Sequence, residues 1–305
     1  MVVVSLPDQS WIDAVGPVEG VDLVVWDLVD PPPDAPVEVV VPHYMRPAGQ
    51  LAALSRMPSL RVVQLLTAGY ETAVEHLPPD VVLANAAGVH DDSTAELGVG
   101  LALAVLRGIP DFVRSQEAGT WLRAGIRPSL ADRRALVVGY GSVGRAVAER
   151  LVAFKATVTA VASRARPGDG LVDRVHAVDE LPALLPAHDL VVVVTPLTEA
   201  TRHLVDDAFL SALPDGAVVV NIARGAVADT DAVLRHTGRL LFGLDVTEPE
   251  PLPDGHPLWA APGVLISPHV GGASTAFVPR AVALLRGQLA RIGAGHPPLH
   301  VVATG

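Results

Sequence analysis

Ala135-Leu136-Val137-Val138-Gly139-Tyr140-Gly141-Ser142-Val143-Gly144 decides how this chain of 305 residues is read. Four apolar residues run into three glycines spaced G-x-G-x-x-G, and Arg145–Phe154 continues with helical spacing. The spacing alone is weak evidence. A strand before it and a helix after it make it the turn that holds a dinucleotide. Gly139 permits the tight turn, Gly141 lets the backbone approach a pyrophosphate, and Gly144 lets helix and strand pack closely. Ser142 and Val143 lie within the turn as further cofactor contacts, and the N-terminus of the helix that follows faces the anion.

The next strand, Val158–Ala162, narrows the ligand. An acid at the end of that strand binds a free ribose 2′-hydroxyl. Here the strand ends Ser163-Arg164-Ala165-Arg166, and no carboxylate comes before Asp169. A hydroxyl and two guanidiniums suit a 2′-phosphate, because guanidinium binds phosphate with planar, multidentate hydrogen bonds. Ser163, Arg164 and Arg166 therefore predict NADP as the cofactor, with NAD possible.

Outward from this loop, β-branched runs alternate with helical stretches. Val2–Leu6, Leu23–Val25, Val37–Val41, Arg61–Leu65 and Val81–Ala84 precede a helix expected to start near Ser93, capped by Ser93 or Thr94 with Glu96 in its first turn. Further strands are expected at Leu190–Val194, Ala217–Asn221, Leu240–Leu244 and Val264–Ile266. A long helix, about 275–292, and a terminal strand follow. Alternating βα units imply parallel, doubly wound sheets, and this length implies about two domains. The fold class is thus α/β, with two Rossmann-like domains and an active site in the interdomain cleft. The expected division is 1–94 plus 274–305 for a substrate domain and 95–273 for the NADP-binding domain.

Composition narrows the function classes. The net charge is −11 and there is a single lysine, Lys155, which argues against a nucleic-acid binder. With no cysteine, thiol chemistry and thiolate-bound metals are excluded. No His/Asp/Glu set has metal-ligand spacing, so no metal is expected. The start carries no basic region followed by a long apolar run, and a cytoplasmic protein without a membrane partner is the expectation.

Three further segments combine polar residues with turn signals at strand ends, where open α/β sheets place their ligands. They are Asn221-Ile222-Ala223-Arg224-Gly225, Asp245-Val246-Thr247-Glu248-Pro249-Glu250-Pro251, and Ser267-Pro268-His269-Val270-Gly271-Gly272. With the glycine loop, Leu66-Thr67-Ala68-Gly69, Asn85 through Glu96, Thr195-Pro196-Leu197-Thr198 with Thr201, and Pro257-Leu258-Trp259, the sequence resembles the D-isomer-specific 2-hydroxyacid dehydrogenase family over nearly its whole length.

The resemblance implies hydride transfer between NADP(H) and a small 2-hydroxy acid or its 2-keto partner, of the glyoxylate or hydroxypyruvate type. It implies Arg224, Glu250 and His269 as the catalytic set. Histidine can protonate the keto oxygen near neutral pH, a carboxylate raises and orients it, and a guanidinium holds the substrate carboxylate. Glu250 is preferred to Glu248 for its place before Pro251. Backbone N–H groups at Ala68 and Gly69 complete the carboxylate clamp. Thr94, Thr195, Pro196, Ile222, Ala223, Asp245 and Gly271 resemble cofactor contacts, with Asp245 at the nicotinamide carboxamide. Trp121 resembles a residue that reaches a neighbouring subunit, which implies a homodimer; a plain packing aromatic is the alternative.

The chain departs from the family pattern at Lys155, where a glycine is common, at Thr247, where an aromatic is frequent, and at Tyr70-Glu71. Two other functions stay open: a dehydrogenase of another small oxyanion such as phosphite, and a nicotinamide-sensing regulatory protein. The full Arg224, Glu250 and His269 set favours chemistry, since a sensor needs no proton donor.

Overall fold

The computed structural model describes residues 1–45 and 48–305. In chain order its elements are β1 (Val2–Leu6), α1 (Gln9–Val15), β2 (Val21–Val25), β3 (Val39–Val40), β4 (Val62–Gln64), α2 (Glu71–Val74), β5 (Val82–Ala84), α3 (Asp91–Arg107), α4 (Ile109–Glu117), β6 (Arg134–Val138), α5 (Ser142–Ala153) and β7 (Thr157–Ala162). There follow β8 (Arg166–Pro167), β9 (Arg174–Ala177), α6 (Leu181–Leu184), β10 (Leu190–Val193), α7 (Asp207–Ser211), β11 (Val218–Asn221), α8 (Thr230–His236), β12 (Leu241–Leu244), β13 (Val264–Ile266), α9 (Phe277–Gly293) and β14 (Val301–Thr304). They form two compact units, Met1–His90 with Thr275–Gly305, and Asp91–Ser274.

The second unit is an α/β sheet in the order β13-β12-β11-β10-β6-β7-β9-β8. Its central strand β10 is apolar and buried at every position because helices cover both faces. In β10, Val191 and Val193 pack into one core, and Leu190 and Val192 into the other. That period of two with both sides buried is the mark of a parallel sheet. Helix α3 lies close to the sheet through small residues. A Cβ on Gly98 would stand 2.8 Å from the Ile222 side chain, and one on Gly243 2.9 Å from Leu101.

The first unit is a six-stranded sheet, β14-β5-β4-β3-β1-β2, with α1 and α9 against one face. Both sheets are α/β as expected, and each carries one antiparallel edge. β14 runs antiparallel to β5, and β8 antiparallel to β9. The β8–β9 hairpin was not foreseen, because Arg166-Pro167 has no strand propensity and only two residues pair.

Helix α3 begins at Asp91, so Ser93 and Thr94 do not cap it; Ser93 is buried inside the first turn. Asp91 and Asp92 supply the negative charge that the helix start favours. Lys155 ends α5 with φ of 67°, the left-handed conformation that glycine takes without strain. Among the described residues no helix is long and apolar enough to cross a membrane.

Candidate active site

All of the polar strand-end segments of the second unit lie after parallel strands. Asn221, the last residue of β11, is buried and shapes the next turn with its side chain. Its Oδ1 accepts from Ala223 N at 3.0 Å and its Nδ2 donates to Arg224 O at 3.1 Å. Arg224 is thereby presented half-buried at the strand end, with one guanidinium N–H donating to Ala223 O at 2.7 Å.

Asp245 follows β12 and is 3% exposed. Its Oδ1 accepts from Ser267 Oγ at 2.6 Å and Val270 N at 2.9 Å, and its Oδ2 from Gly271 N at 2.9 Å. The backbone adds His269 N donating to Asp245 O at 2.8 Å. The loop after β13 is therefore wrapped round one carboxylate. His269 sits on that loop with φ of 53°, a conformation uncommon for a residue with a Cβ. Such strain persists only where surrounding bonds over-determine it.

His269 Nδ1 lies 2.5 Å from Glu250 Oε1. A carboxylate only accepts, so Nδ1 carries the proton and Nε2 remains for a reacting group. The hydrogen bond to Glu250 raises the His269 pKa above its ordinary value, against partial burial and the positive charge of Arg224. The same bond lowers Glu250, against partial burial. Both side chains are 42% exposed, so solvent screens the pair and its worth to stability is small. Its chemical consequence is a histidine that stays protonated to higher pH.

Glu248 is engaged elsewhere, with Arg202 at 3.0 Å and His203 at 2.8 Å. His269, Glu250 and the charge of Arg224 thus come together, and Glu248 does not join them. Among the described residues no group of three or more His, Cys, Asp or Glu is placed to hold a metal.

The glycine loop has the shape of a phosphate cradle. A Cβ on Gly144 would lie 2.1 Å from Gly139 O, and one on Gly139 2.7 Å from Thr195 N. Above Gly141 there is open space. Thr195 Oγ1 is buried beside this turn without a hydrogen-bond partner among the described residues. These features fit a dinucleotide whose pyrophosphate lies on the N-terminus of α5. Thr94 stands close to Gly271, whose Cβ would meet its side chain at 3.3 Å and Asp245 Oδ2 at 2.9 Å.

The segment after β7 is less uniform than its sequence implied. Ser163 and Arg164 are exposed and make no hydrogen bond among the described residues. Arg166 instead donates to Tyr140 O and lies over the Tyr140 ring, 5.9 Å from its centroid. Tyr140 itself is buried and donates its hydroxyl to Asp169 at 3.1 Å; burial, with Asp169, pushes the phenol up to about 12. Asp169 also accepts from Arg145 Nε at 3.0 Å. Sequence reading missed this bolt from the hairpin to the glycine loop. Its two sides are 29 residues apart, and no local pattern marks them.

In the first unit, Ala68 and Gly69 lie in the loop after β4, Ala68 exposed and Gly69 half-buried. Trp121 is 93% exposed.

Comparison with known proteins gives this arrangement its family. Residues 99–271 match the model of the NAD-binding domain of D-isomer-specific 2-hydroxyacid dehydrogenases. The human glyoxylate reductase/hydroxypyruvate reductase is 31% identical over 232 residues, 71% of this chain and 69% of that one. A D-isomer-specific 2-hydroxyacid dehydrogenase from Xanthobacter autotrophicus, solved with NADPH and MES, superposes with a TM-score of 0.82 at 30% identity, covering 99% of this chain and 98% of that one. An NADPH-dependent glyoxylate/hydroxypyruvate reductase from Sinorhizobium meliloti, solved with NADP and sulfate, does so at 0.81 and 26% identity, covering 99% and 97%. The chain belongs to the D-isomer-specific 2-hydroxyacid dehydrogenase family.

Proposed function

We propose that this chain reduces a small 2-keto acid of the glyoxylate or hydroxypyruvate kind, with NADPH as the preferred donor. The observation that carries the reading is the His269–Glu250 hydrogen bond beside the charge of Arg224. Bound NADPH supplies the hydride that reaches the keto carbon. His269 Nε2 gives the proton that the keto oxygen then takes up, and Glu250 keeps the proton on Nδ1 throughout, which holds the ring in one tautomer. Arg224 pairs with the substrate carboxylate and draws electron density from the keto oxygen. Ala68 and Gly69 offer backbone N–H groups to the same carboxylate. Asp245 fixes the loop that bears His269, and its Oδ2, with one donor, retains acceptor capacity for a carboxamide. Gly139 to Gly144 take the pyrophosphate, and Ser163 with Arg164 the 2′-phosphate. Both relatives named above with NADPH or NADP support that last assignment.

The test is a panel of about ten 2-keto acids, each with NADPH and with NADH. Turnover of glyoxylate or hydroxypyruvate, faster with NADPH in kcat/KM, is expected. No turnover of any acid with either cofactor overturns the reading, and NADP reduction by phosphite would reassign the substrate.

The enzyme works as a homodimer in this reading. Helix α4 buries none of its residues and leaves Phe112 and Val113 exposed, and the segment behind it exposes Trp121 and Ile126 fully. Exposed apolar side chains recurring along this one segment suit a second copy. Sedimentation should give the mass of two chains, and Trp121→Glu with Ile126→Asp should give one. A monomeric parent protein would refute the dimer.

A further inference from the structure

The loop Leu66-Thr67-Ala68-Gly69 has all four carbonyls accounted for inside its own unit. Leu66 O accepts from His90 Nε2 at 2.8 Å, and Thr67 O from Ala86 N at 2.9 Å. Ala68 O accepts from Asn85 Nδ2 at 2.7 Å, and Gly69 O from Thr67 Oγ1 at 2.7 Å. The N–H groups of Ala68 and Gly69 make no hydrogen bond among the described residues. In a trans peptide the carbonyl and the next N–H point in opposite directions. Each fixed carbonyl therefore fixes the direction of the following N–H. The Ala86 bond to Thr67 O sets the Ala68 N–H, and the Asn85 bond to Ala68 O sets the Gly69 N–H.

Asn85 is suited to hold one rotamer. It directly follows β5 and is 9% exposed. Its own carbonyl accepts from Gln64 Nε2 at 3.0 Å and its N–H donates to His300 O at 3.1 Å, so its backbone is tied on both sides. His90 is likewise buried and packs against both Tyr44 and Phe277, each ring centroid 5.3 Å from its own, while those two rings lie 4.2 Å from one another.

We propose that Asn85 is a positioning residue for substrate binding: its side-chain amide aims the Gly69 N–H at the substrate carboxylate, and His90 steadies the same loop two peptide units earlier. This inference rests on the 2-keto acid reading. It adds two residues whose effect is exerted through backbone direction and not through contact with the acid. The loss falls on binding of the acid. The cofactor, held by the other unit's glycine loop, is untouched.

The experiment uses Asn85→Asp, which keeps size and shape but replaces the donor with an acceptor facing Ala68 O. His90→Phe is the second variant; it retains a ring in the stack and removes the donor to Leu66 O. KM for glyoxylate, Ki for oxalate as a non-reacting carboxylate probe, KM for NADPH and thermal midpoint are measured for each. Asn85→Asp should raise both acid constants about tenfold or more, the loss of one hydrogen bond to a charged group, and leave KM for NADPH within twofold. His90→Phe should move the same constants in the same direction by less. A folded Asn85→Asp protein with unchanged acid constants overturns the positioning role, as does an equal rise in the NADPH constant. If Asn85→Asp does not fold, unchanged acid constants in His90→Phe overturn it. Absence of keto-acid turnover in the parent protein would instead sink the reading on which it rests.

Discussion

The two loops that we propose to receive anions through backbone N–H groups are held in opposite ways. In Gly139–Gly144 the sequence itself builds the shape, since three glycines remove the Cβ atoms and a helix start aligns the donors. In Leu66–Gly69 the shape is imposed from outside, by Asn85, Ala86 and His90, about twenty residues further along the chain. The first loop should break when its own residues change, and the second when its distant holders do. In the proposed reaction neither loop carries the proton, which falls to His269, paired with Glu250 on a loop wrapped round Asp245.

The variant expected to act most strongly leaves both loops intact. His269→Gln removes the proton donor and should lower kcat by about 10²- to 10⁴-fold, with NADPH affinity and the acid KM little changed. Stopped-flow and fluorescence titration separate the two. Loss of NADPH affinity alongside kcat would mean that His269 shapes the cofactor site and not the chemistry.

Gly144→Val tests the loop whose own residues build it. The new Cβ would lie 2.1 Å from Gly139 O, backbone that cannot yield as a flexible side chain would. The NADPH Kd should rise at least about a hundredfold, the worth of two hydrogen bonds to charged phosphate oxygens, while keto-acid analogues lose affinity only through the missing cofactor. Gly141→Ala, with open space above it, should fold normally and weaken NADPH alone. A Gly144→Val protein that binds NADPH as the parent does would break the contrast between the loops.

A pH profile separates the acid–base pair from both cradles. His269 is raised by its bond to Glu250, so its protonated form prevails below that raised pKa and is lost as pH rises through it. Reduction of the keto acid should therefore hold level at neutral pH and fall on the alkaline side. Oxidation of the hydroxy acid, which needs neutral His269, should rise over the same range. Glu250 is lowered by the same bond, so its carboxylate persists on acidification until pH falls through that lowered value. Glu250→Gln should move the alkaline limb of reduction to lower pH, costing about tenfold or more at pH 8. An unmoved limb would detach Glu250 from the titration.

The contrast between the loops also explains what the sequence disclosed. The glycine loop and the strand-end motifs around Arg224, Asp245 and His269 are short and local, and the alternating strands fix their position on the sheet. The residues that hold the other elements are remote. Asn85 reaches Ala68 across 17 positions, and Tyr140 reaches Asp169 across 29. No periodicity encodes such pairs. The β8–β9 hairpin escaped for the same reason. Two residues, one of them proline, make a strand only because β9 is there to pair with.

The smallest effect expected is also the one that divides two neighbouring arginines. Both Arg164 and Arg166 follow β7, and sequence treats them alike. The structure does not. Arg166 is bound to Tyr140 O and covers its ring, so its guanidinium supports the glycine loop. Arg164 is exposed and unengaged among the described residues. Arg164→Ala should therefore lower kcat/KM for NADPH by about tenfold, one solvent-exposed charged hydrogen bond, and leave NADH unchanged. Arg166→Ala should weaken both cofactors by a similar factor, because it loosens a carbonyl shared by either. The ratio of the two specificity constants is the decisive reading. If Arg166→Ala alone collapses that ratio, the 2′-phosphate is held by the arginine that the folded hairpin ties to the loop, and the glycine loop too is set in part by residues far from its own sequence.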